Sequence, residues 1–420
     1  MKRIVILCDG TWNSPDMPHP TNVVRLGQAL RARDDDGVTQ VPVYVEGVGT
    51  GRRGVTGLAR AADRYLGGAM GLGLMDNVAE AYRHLVFLHD PGDEVYVFGF
   101  SRGAFTARSL VGFIRYNGLL TRAELGKLPA LVDRYTATFY SRHPRGTPEW
   151  AEHRQASNLW RRVENVRGSH VDAADIGRLE TIAADPETDA ETRAAADAYV
   201  EVLSRARQFH VTYLGVWDTV GALGVPGWFT AAPILNRKYQ FHDTALSQMV
   251  LAARHAVALD ERRRSFAPTL WSNLPIRNGG QIGTPYRQRW FAGDHGAVGG
   301  GGEIADLSSI TLHWLMDGAA EMGLAFDADQ SDVIRSEHGP TGPLTNSRTP
   351  RGGMVAAAMR KYGRDRDGPS YVDEVAPTAR TRWDFETKAD APNGPWPYRP
   401  ASLDRVARHL EAWRRDRWRG

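Results

Sequence analysis

The chain has 420 residues, of which 42% are hydrophobic and 24% charged, and its formal net charge is +3. This composition can bury a sizeable core, so it excludes a mainly disordered or fibrous protein, and the near balance of charge does not favour a nucleic-acid partner. The only cysteine, Cys8, excludes an internal disulfide, and the sequence has no Cys/His spacing typical of zinc sites.

The N-terminus resembles a signal peptide only briefly. An apolar run follows Met1-Lys2-Arg3 but ends at Asp9, which is too short for the hydrophobic part of a secretory signal. No stretch approaches the roughly 20 apolar residues of a membrane-spanning helix. We therefore expect a protein that is cytoplasmic as synthesised. Export by a route without a signal peptide, peripheral contact with a membrane and the oligomeric state are left open.

Strands and helices alternate in the first 120 residues. Buried strands are predicted at Arg3 to Cys8, Val41 to Val45 and Glu94 to Gly99, and helices at Leu58 to Leu66, Met75 to His89 and Ala104 to Ile114. Repeated strand, turn and helix units predict an α/β fold with a mostly parallel sheet covered by helices on both faces.

The rest of the chain divides by composition. Residues 121–208 contain helical patterns without a convincing strand, so we expect a helical insertion that forms a cap between two parts of the core, 1–120 and 209–330. The core continues with strands at His210 to Trp217 and Arg289 to Ala292, and with helices at Tyr239 to Leu259 and Leu307 to Met322. Residues 331–420 are expected to be a loop-rich extension that ends in a helix N-capped by Ser402.

One motif carries a specific chemical signal. Gly99-Phe100-Ser101-Arg102-Gly103 fits G-x-S-x-G, with a predicted strand before it and a predicted helix after it. In this context the sharp turn exposes the serine hydroxyl at a helix N-terminus, which predicts that Ser101 is a nucleophile. The alternative is a tight turn with an N-capping serine.

A nucleophilic serine needs a base, and the base needs an acid that orients it. His295 and Asp218 each follow a predicted strand, and they stand in the chain order Ser, Asp, His that is typical of hydrolases with this motif. We therefore predict His295 as the base and Asp218 as the acid. Asp294 and Asp260 are the rival acids, although Asp294 should point away from its neighbour His295 in an extended segment.

The oxyanion of such a reaction needs backbone N–H donors. One is expected from Arg102, the residue after the nucleophile, and a second from Gly10 or Thr11 in the loop after the first strand. An Asx turn at Asp9 is a structural alternative that could coexist with this role. This chemistry requires neither a metal ion nor an organic cofactor.

Several of these segments resemble the DUF2235 family of α/β-hydrolase-like proteins, which includes phospholipase effectors of bacterial type VI secretion. The resemblance covers about residues 1 to 325 and departs from the family at Gly296-Ala297, where Ser-Asp usually precedes the valine. It implies an α/β-hydrolase-like fold and a lipid or phospholipid acyl ester as substrate. The segments that carry it are Cys8 to Asn13, Gly99 to Phe105, Val216 to Gly221, Ala258 to Arg263 and Phe291 to Gly301.

The residues and the resemblance together predict a serine hydrolase that cleaves carboxylic esters by way of an acyl-enzyme. Two alternatives remain. The same side chains could transfer the acyl group to an acceptor other than water, or the fold could serve as a catalytically silent binding module.

Overall fold

A parallel six-stranded sheet forms the centre of the protein. The computed structural model describes residues 1–11, 13–47, 70–139, 173–207, 209–221, 245–280, 284–347, 363–385 and 397–417. The spatial order of the strands is β2-β1-β3-β4-β5-β6, and every neighbouring pair is parallel. The strands are β1 (Arg3–Cys8), β2 (Gln40–Val45), β3 (Glu94–Phe100), β4 (Val211–Trp217), β5 (Val250–Ala258) and β6 (Tyr286–Phe291).

The order reverses between β1 and β3, because the chain adds β2 on one side of β1 and all later strands on the other. In open parallel sheets, ligand sites form beyond the carboxyl ends of the strands at such a switch point. The loops that begin at Asp9 and Ser101 leave the sheet there. The topology by itself therefore favours a site built around these two loops.

Twelve helices are described along with the sheet. They are α1 (Asn22–Ala29), α2 (Met70–Leu88), α3 (Arg102–Asn117), α4 (Leu128–Phe139), α5 (Ala173–Ala184), α6 (Ala190–Arg207), α7 (Leu274–Arg277), α8 (His295–Gly299), α9 (Asp306–Ala320), α10 (Ala328–Ser336), α11 (Pro377–Asp384) and α12 (Ala407–Arg417). Short 3₁₀ turns occur at Arg122–Lys127, Arg264–Phe266, Val372–Glu374 and Ala401–Leu403. The helix predicted at Leu58 to Leu66 lies outside the described residues. No helix in the described ranges is both long and apolar enough to cross a membrane.

Both faces of the sheet are buried. Alternate residues of β1 and β3 point to opposite sides: Ile4 and Val97 join a core with α2 and α3, while Val5 and Phe98 join a core with α1 and α9. Because helices cover both faces, these strands are continuously buried from Ile4 to Cys8 and from Val95 to Phe100, without alternating polar residues. The predicted α/β fold with a parallel sheet between helices is confirmed.

The helix predicted from Tyr239 to Leu259 is wrong over its described part, because Val250–Ala258 is the strand β5. Residues 222–244 lie outside the described ranges. Alanines make this segment read as a helix, but its hydrogen-bond partners, β4 and β6, are far away in sequence. The small side chains suit a central strand on which α9 packs closely, a constraint that local propensity does not contain.

The C-terminal residues belong to the same core as α1 and α9. Val375, Trp383, Tyr398 and Leu410 are all buried in it. Val375 also forms a parallel bridge with Trp290, so the extension covers the outer edge of β6. Two details differ from expectation: α11 interrupts the predicted loops, and α12 begins at Ala407, after a 3₁₀ turn that contains Ser402.

The described part of residues 121–208 contains helices and no strand. Leu128 and Tyr135 are buried in the core that includes α2 and α3, so α4 lies beside these helices. Residues 140–172 lie outside the described ranges. That the insertion caps the site stays a prediction.

The first turn of α3 lies in backbone contact with the end of β1. A Cβ atom placed on Gly103 would be 2.1 Å from the carbonyl oxygen of Cys8 and 2.5 Å from that of Asp9. Both obstacles are backbone atoms of a central strand and its loop, which cannot swing aside as a side chain can. A glycine at this position is therefore a condition for seating the serine turn against β1.

We predict that Gly103→Ala lowers the free energy of unfolding by about 2 kcal/mol or more, because the added methyl group forces α3 away from β1. Gly126→Ala is the matched control, since a Cβ there meets nothing within 4 Å; it should change stability by about 0.5 kcal/mol or less. Urea unfolding of the two variants measures both values. Equal, small effects would contradict the close contact.

Candidate active site

Ser101 stands at the turn between β3 and α3 in an unusual backbone conformation. Its φ of 58° and ψ of −121° lie in a region that residues other than glycine rarely adopt. The turn is supported by a hydrogen bond from the Ser101 N–H to the Trp217 carbonyl, at 3.0 Å. The conformation directs the hydroxyl to His295, whose Nε2 lies 2.8 Å from Ser101 Oγ.

His295 is the first residue of α8, directly after the loop that leaves β6. Its backbone N–H donates to Glu261 at 3.3 Å, and its ring contacts those of Phe100 and Phe266, with centroid distances of 4.7 and 4.8 Å. On the far side of the imidazole, Nδ1 is 2.6 Å from Asp218 Oδ2. Because a carboxylate only accepts hydrogen bonds, the proton belongs on Nδ1, which leaves Nε2 able to accept the proton of the serine hydroxyl.

Asp218 follows β4 with a φ of 39° and is fully buried. Its carboxylate accepts hydrogen bonds from the N–H of Ala258 at 2.9 Å and from both terminal nitrogens of Arg366, at 2.6 and 2.9 Å, in addition to His295. Burial opposes ionisation, but the Arg366 charge and the hydrogen bonds of His295 and Arg366 hold the pKa of Asp218 well below its usual range. The acid is therefore ionised beside the imidazole.

The two rival acids have other partners. Asp294 caps α8 by accepting the Ala297 N–H at 2.9 Å. Asp260 accepts the Gly293 N–H at 2.7 Å and the Tyr398 hydroxyl at 2.8 Å, and burial raises its pKa. The structure thus brings Ser101, His295 and Asp218 into one hydrogen-bonded chain. Asp294 and Asp260 instead stabilise the loops next to it.

The loop after β1 lies against the serine turn, as expected of an oxyanion-binding loop. A Cβ on Gly10 would be 3.3 Å from Ser101 Cβ. However, the Gly10 N–H donates to Asp9 Oδ1 at 2.6 Å, whereas the Thr11 N–H makes no hydrogen bond to any residue that the structure describes. The Arg102 N–H lies in the first turn of α3, directly after the nucleophile.

Asp9 organises this loop. Its Oδ2 accepts hydrogen bonds from the hydroxyls of Thr21 and Tyr44, both at 2.7 Å, and burial raises its pKa despite these donors. The Asp9 side chain therefore joins the loop to the segments before α1 and within β2. No group of three or more His, Cys, Asp and Glu side chains that could hold a metal ion occurs in the described part of the chain.

Two contributors were not found from the sequence. Arg366 stands in the run Arg364-Asp365-Arg366-Asp367, which reads as an exposed charge cluster. His255 lies in the segment expected to be helical. No local signal distinguishes either residue, because each is defined by partners from distant parts of the chain.

His255 supports the backbone next to Asp218. The Thr219 N–H donates to His255 Nε2 at 3.2 Å, and His255 Nδ1 is 3.0 Å from Gln288 Oε1, which also accepts the Trp271 N–H. Since Nε2 must accept, the imidazole is neutral, and burial lowers its pKa to about 3.

This arrangement predicts a pH dependence of stability. Between pH ~6.5 and about 3, the unfolded chain binds a proton at His255 that the folded protein does not, so folding stability falls as pH decreases. We expect the loss of unfolding free energy from pH 7 to pH 5 to be about 1–2 kcal/mol larger in the wild type than in His255→Gln, whose amide oxygen can still accept from Thr219. Urea unfolding at the two pH values measures the difference. Identical pH slopes would contradict a neutral, buried His255.

Comparisons with known proteins reveal several partial relatives. An uncharacterized protein of Saccharomyces cerevisiae is 25% identical over 280 residues, which cover 65% of this chain and 33% of the yeast protein. A solved structure of an uncharacterized protein from Pseudomonas aeruginosa has a TM-score of 0.38 and 17% identity, over 86% of this chain and 50% of that one. A solved Tle1 effector bound to the VgrG spike of the type 6 secretion system has a TM-score of 0.34 and 16% identity, over 73% and 52%.

The chain thus spans one third of the yeast relative and about half of each solved chain. A sequence model of a protein family also matches residues 2–318. The family is described as type VI secretion system phospholipase effector, Tle1-like, catalytic domain. This range contains β1 to β6 together with Ser101, Asp218 and His295. The chain belongs to the family of Tle1-like catalytic domains of type VI secretion phospholipase effectors.

Proposed function

We propose that the protein hydrolyses carboxylic esters of lipids or phospholipids through an acyl-enzyme formed on Ser101. The single observation that carries this proposal is the continuous hydrogen-bonded chain from Ser101 Oγ through His295 to the buried Asp218. Such a chain activates a hydroxyl that is otherwise a weak nucleophile at neutral pH. Membership of a phospholipase effector family supports the lipid ester as substrate.

The proposed reaction has two halves. Ser101 Oγ attacks the ester carbonyl while His295 Nε2 takes its proton; the tetrahedral intermediate then collapses, and the imidazolium returns the proton to the leaving alcohol. Water, deprotonated by the same nitrogen, then attacks the acyl-enzyme. The bond from the acyl carbon to Ser101 Oγ breaks, the imidazolium returns its proton to Oγ, and the carboxylic acid leaves. Asp218 remains ionised throughout and stabilises the imidazolium.

The negative oxygen of each tetrahedral intermediate needs donors that point to it before the reaction starts. We propose the backbone N–H groups of Arg102 and Thr11 for this role, because one follows the nucleophile and the other lies in the loop against it. The Gly10 N–H, engaged by Asp9, is then a support of the loop and not a donor to substrate. The phenyl rings of Phe100 and Phe266 shield the imidazole from water.

We also propose that the protein is made in the cytoplasm and exported through a type VI secretion system. The effector description of its family supports this route. The proposal involves no nucleic acid and no cofactor.

Replacing the nucleophile tests the proposal most directly. Ser101→Ala should lower turnover of a phospholipid or short-chain ester by at least about 10³-fold and abolish labelling by a fluorophosphonate probe. Ser109→Ala, which changes another buried serine about two turns further along α3, should keep both. Residual turnover of Ser101→Ala within tenfold of wild type would overturn the assignment.

Products measured with and without an added acceptor alcohol separate hydrolysis from acyl transfer. A new ester formed at the expense of free acid favours the transferase. Absence of both turnover and labelling in the wild type, on vesicles, micelles and soluble esters, favours the silent binding module.

The acid gives a second prediction. Asp218→Asn should lower kcat by about 10³- to 10⁴-fold, because an amide that donates to Nδ1 leaves the imidazole in the wrong tautomer. Asp294→Asn is the matched control: it changes the acid next to His295, and asparagine caps a helix as well as aspartate does. A severe loss in Asp294→Asn with near wild-type activity in Asp218→Asn would reverse the choice of acid.

A further inference from the structure

Arg366 is buried beside the proposed acid although it comes from a segment without regular secondary structure. Its side chain is only 4% exposed. Nη1 donates to Asp218 Oδ1 and to the Ala258 carbonyl, at 2.6 and 2.7 Å, and Nη2 donates to Asp218 Oδ2 and the Phe266 carbonyl, at 2.9 and 2.7 Å. The guanidinium thus forms a two-point fork on the carboxylate and is itself held by two carbonyls. Such pairing fixes both the position and the plane of a carboxylate.

The segment that carries Arg366 is attached on both sides. Before it, the Arg364 N–H donates to the Arg262 carbonyl at 2.9 Å. After it, Gly368 adopts a φ of 73° and approaches the Ser402 carbonyl so closely that a Cβ there would be 1.6 Å from the oxygen. Arg366 is therefore delivered by a backbone anchored to the core, and it lies beyond residue 318, where the match to the family ends.

The charge of Arg366 compensates that of Asp218. A buried Asp218 without a cation beside it would leave one uncompensated negative charge in the protein interior, which is costly. Arg366 supplies the positive charge, and its two-point fork holds the ionised carboxylate in one plane. A carboxylate fixed in this way presents Oδ2 to His295 Nδ1, at 2.6 Å.

We propose that Arg366 is a positioning residue of the catalytic site, which orients Asp218 toward His295. This inference rests on the proposed function and deepens it. It assigns to the C-terminal extension a part in the reaction, in addition to its part in the core.

Other charged groups also face this site and must stay constant in a test. Glu261 accepts the His295 N–H and is paired with Arg263 at 2.7 Å. Asp294 caps α8 next to His295, and the neutral His255 lies behind Asp218. None of these four residues contacts Arg366 through a hydrogen bond in the described part of the chain, so replacing Arg366 leaves their pairing intact.

The experiment compares kcat and KM on a soluble ester, together with the melting temperature, for three variants of the full chain. Arg366→Gln removes the charge and the fork, so kcat should fall at least tenfold with little change in KM. Arg366→Lys keeps the charge but not the fork, so it should not restore kcat. Arg364→Gln, an exposed neighbour, should change neither.

A near wild-type kcat in Arg366→Gln, or a loss of kcat that Arg366→Lys restores in full, would overturn the proposal and leave Arg366 a structural residue. If Arg366→Gln does not fold, Arg366→Lys decides: a wild-type kcat in a variant with an unchanged melting temperature overturns the orienting role, and a tenfold loss supports it. Failure of the proposed function is seen separately, because it appears as undiminished turnover in Ser101→Ala.

Discussion

The buried carboxylate of Asp218 is the constraint on which the site depends. An ionised group without access to water must find donors for its lone pairs, and here they come from three separate parts of the chain: the end of β5, the start of α8 and the C-terminal extension. Each donor fixes one of these elements relative to β4. The need of the Asp218 carboxylate for hydrogen-bond donors thereby aligns the loops that surround the imidazole.

The parallel sheet makes this alignment possible. Its strands end at the same edge, and both Ser101 and Asp218 follow their strands with positive φ angles. Strained conformations of this kind persist only where the surroundings over-determine them. At Ser101 the determinants are the contact of Gly103 with β1 and the hydrogen bond to Trp217; at Asp218 they include the bond from the Thr219 N–H to His255. Residues around the site thus stabilise the strained backbone conformations of Ser101 and Asp218, which these residues would not adopt in an isolated segment.

The C-terminal extension contributes both to the hydrophobic core and to the candidate active site. Its apolar residues fill the same core as α1 and α9, and Tyr398 donates to Asp260 in the loop between β5 and Arg263. The segment that brings Arg366 to Asp218 is therefore held by interactions that also close one face of the protein. A change in this core can reach the carboxylate through the backbone of residues 363–368 without touching Ser101 or His295.

The sequence alone determined the fold class, several strands and the three central side chains of the candidate site. Runs of buried β-branched residues indicated β1, β3 and β4, and the glycine-flanked Ser101 together with the later Asp218 and His295 indicated three side chains that do contact one another. These features are readable because each depends on a strand, the turn that follows it and the order along the chain. The fold class follows from the same repeats of strand and helix.

Only the tertiary structure decided the rest. β5 is a strand because β4 and β6 offer hydrogen bonds to an alanine-rich segment whose local preference is helical. The Gly10 N–H donates to the Asp9 carboxylate. Within the run of charges at 364–367, the Arg366 side chain turns inward and pairs with the buried Asp218. In each case the outcome depends on which distant or neighbouring groups satisfy a polar atom, and only the folded chain determines that pairing.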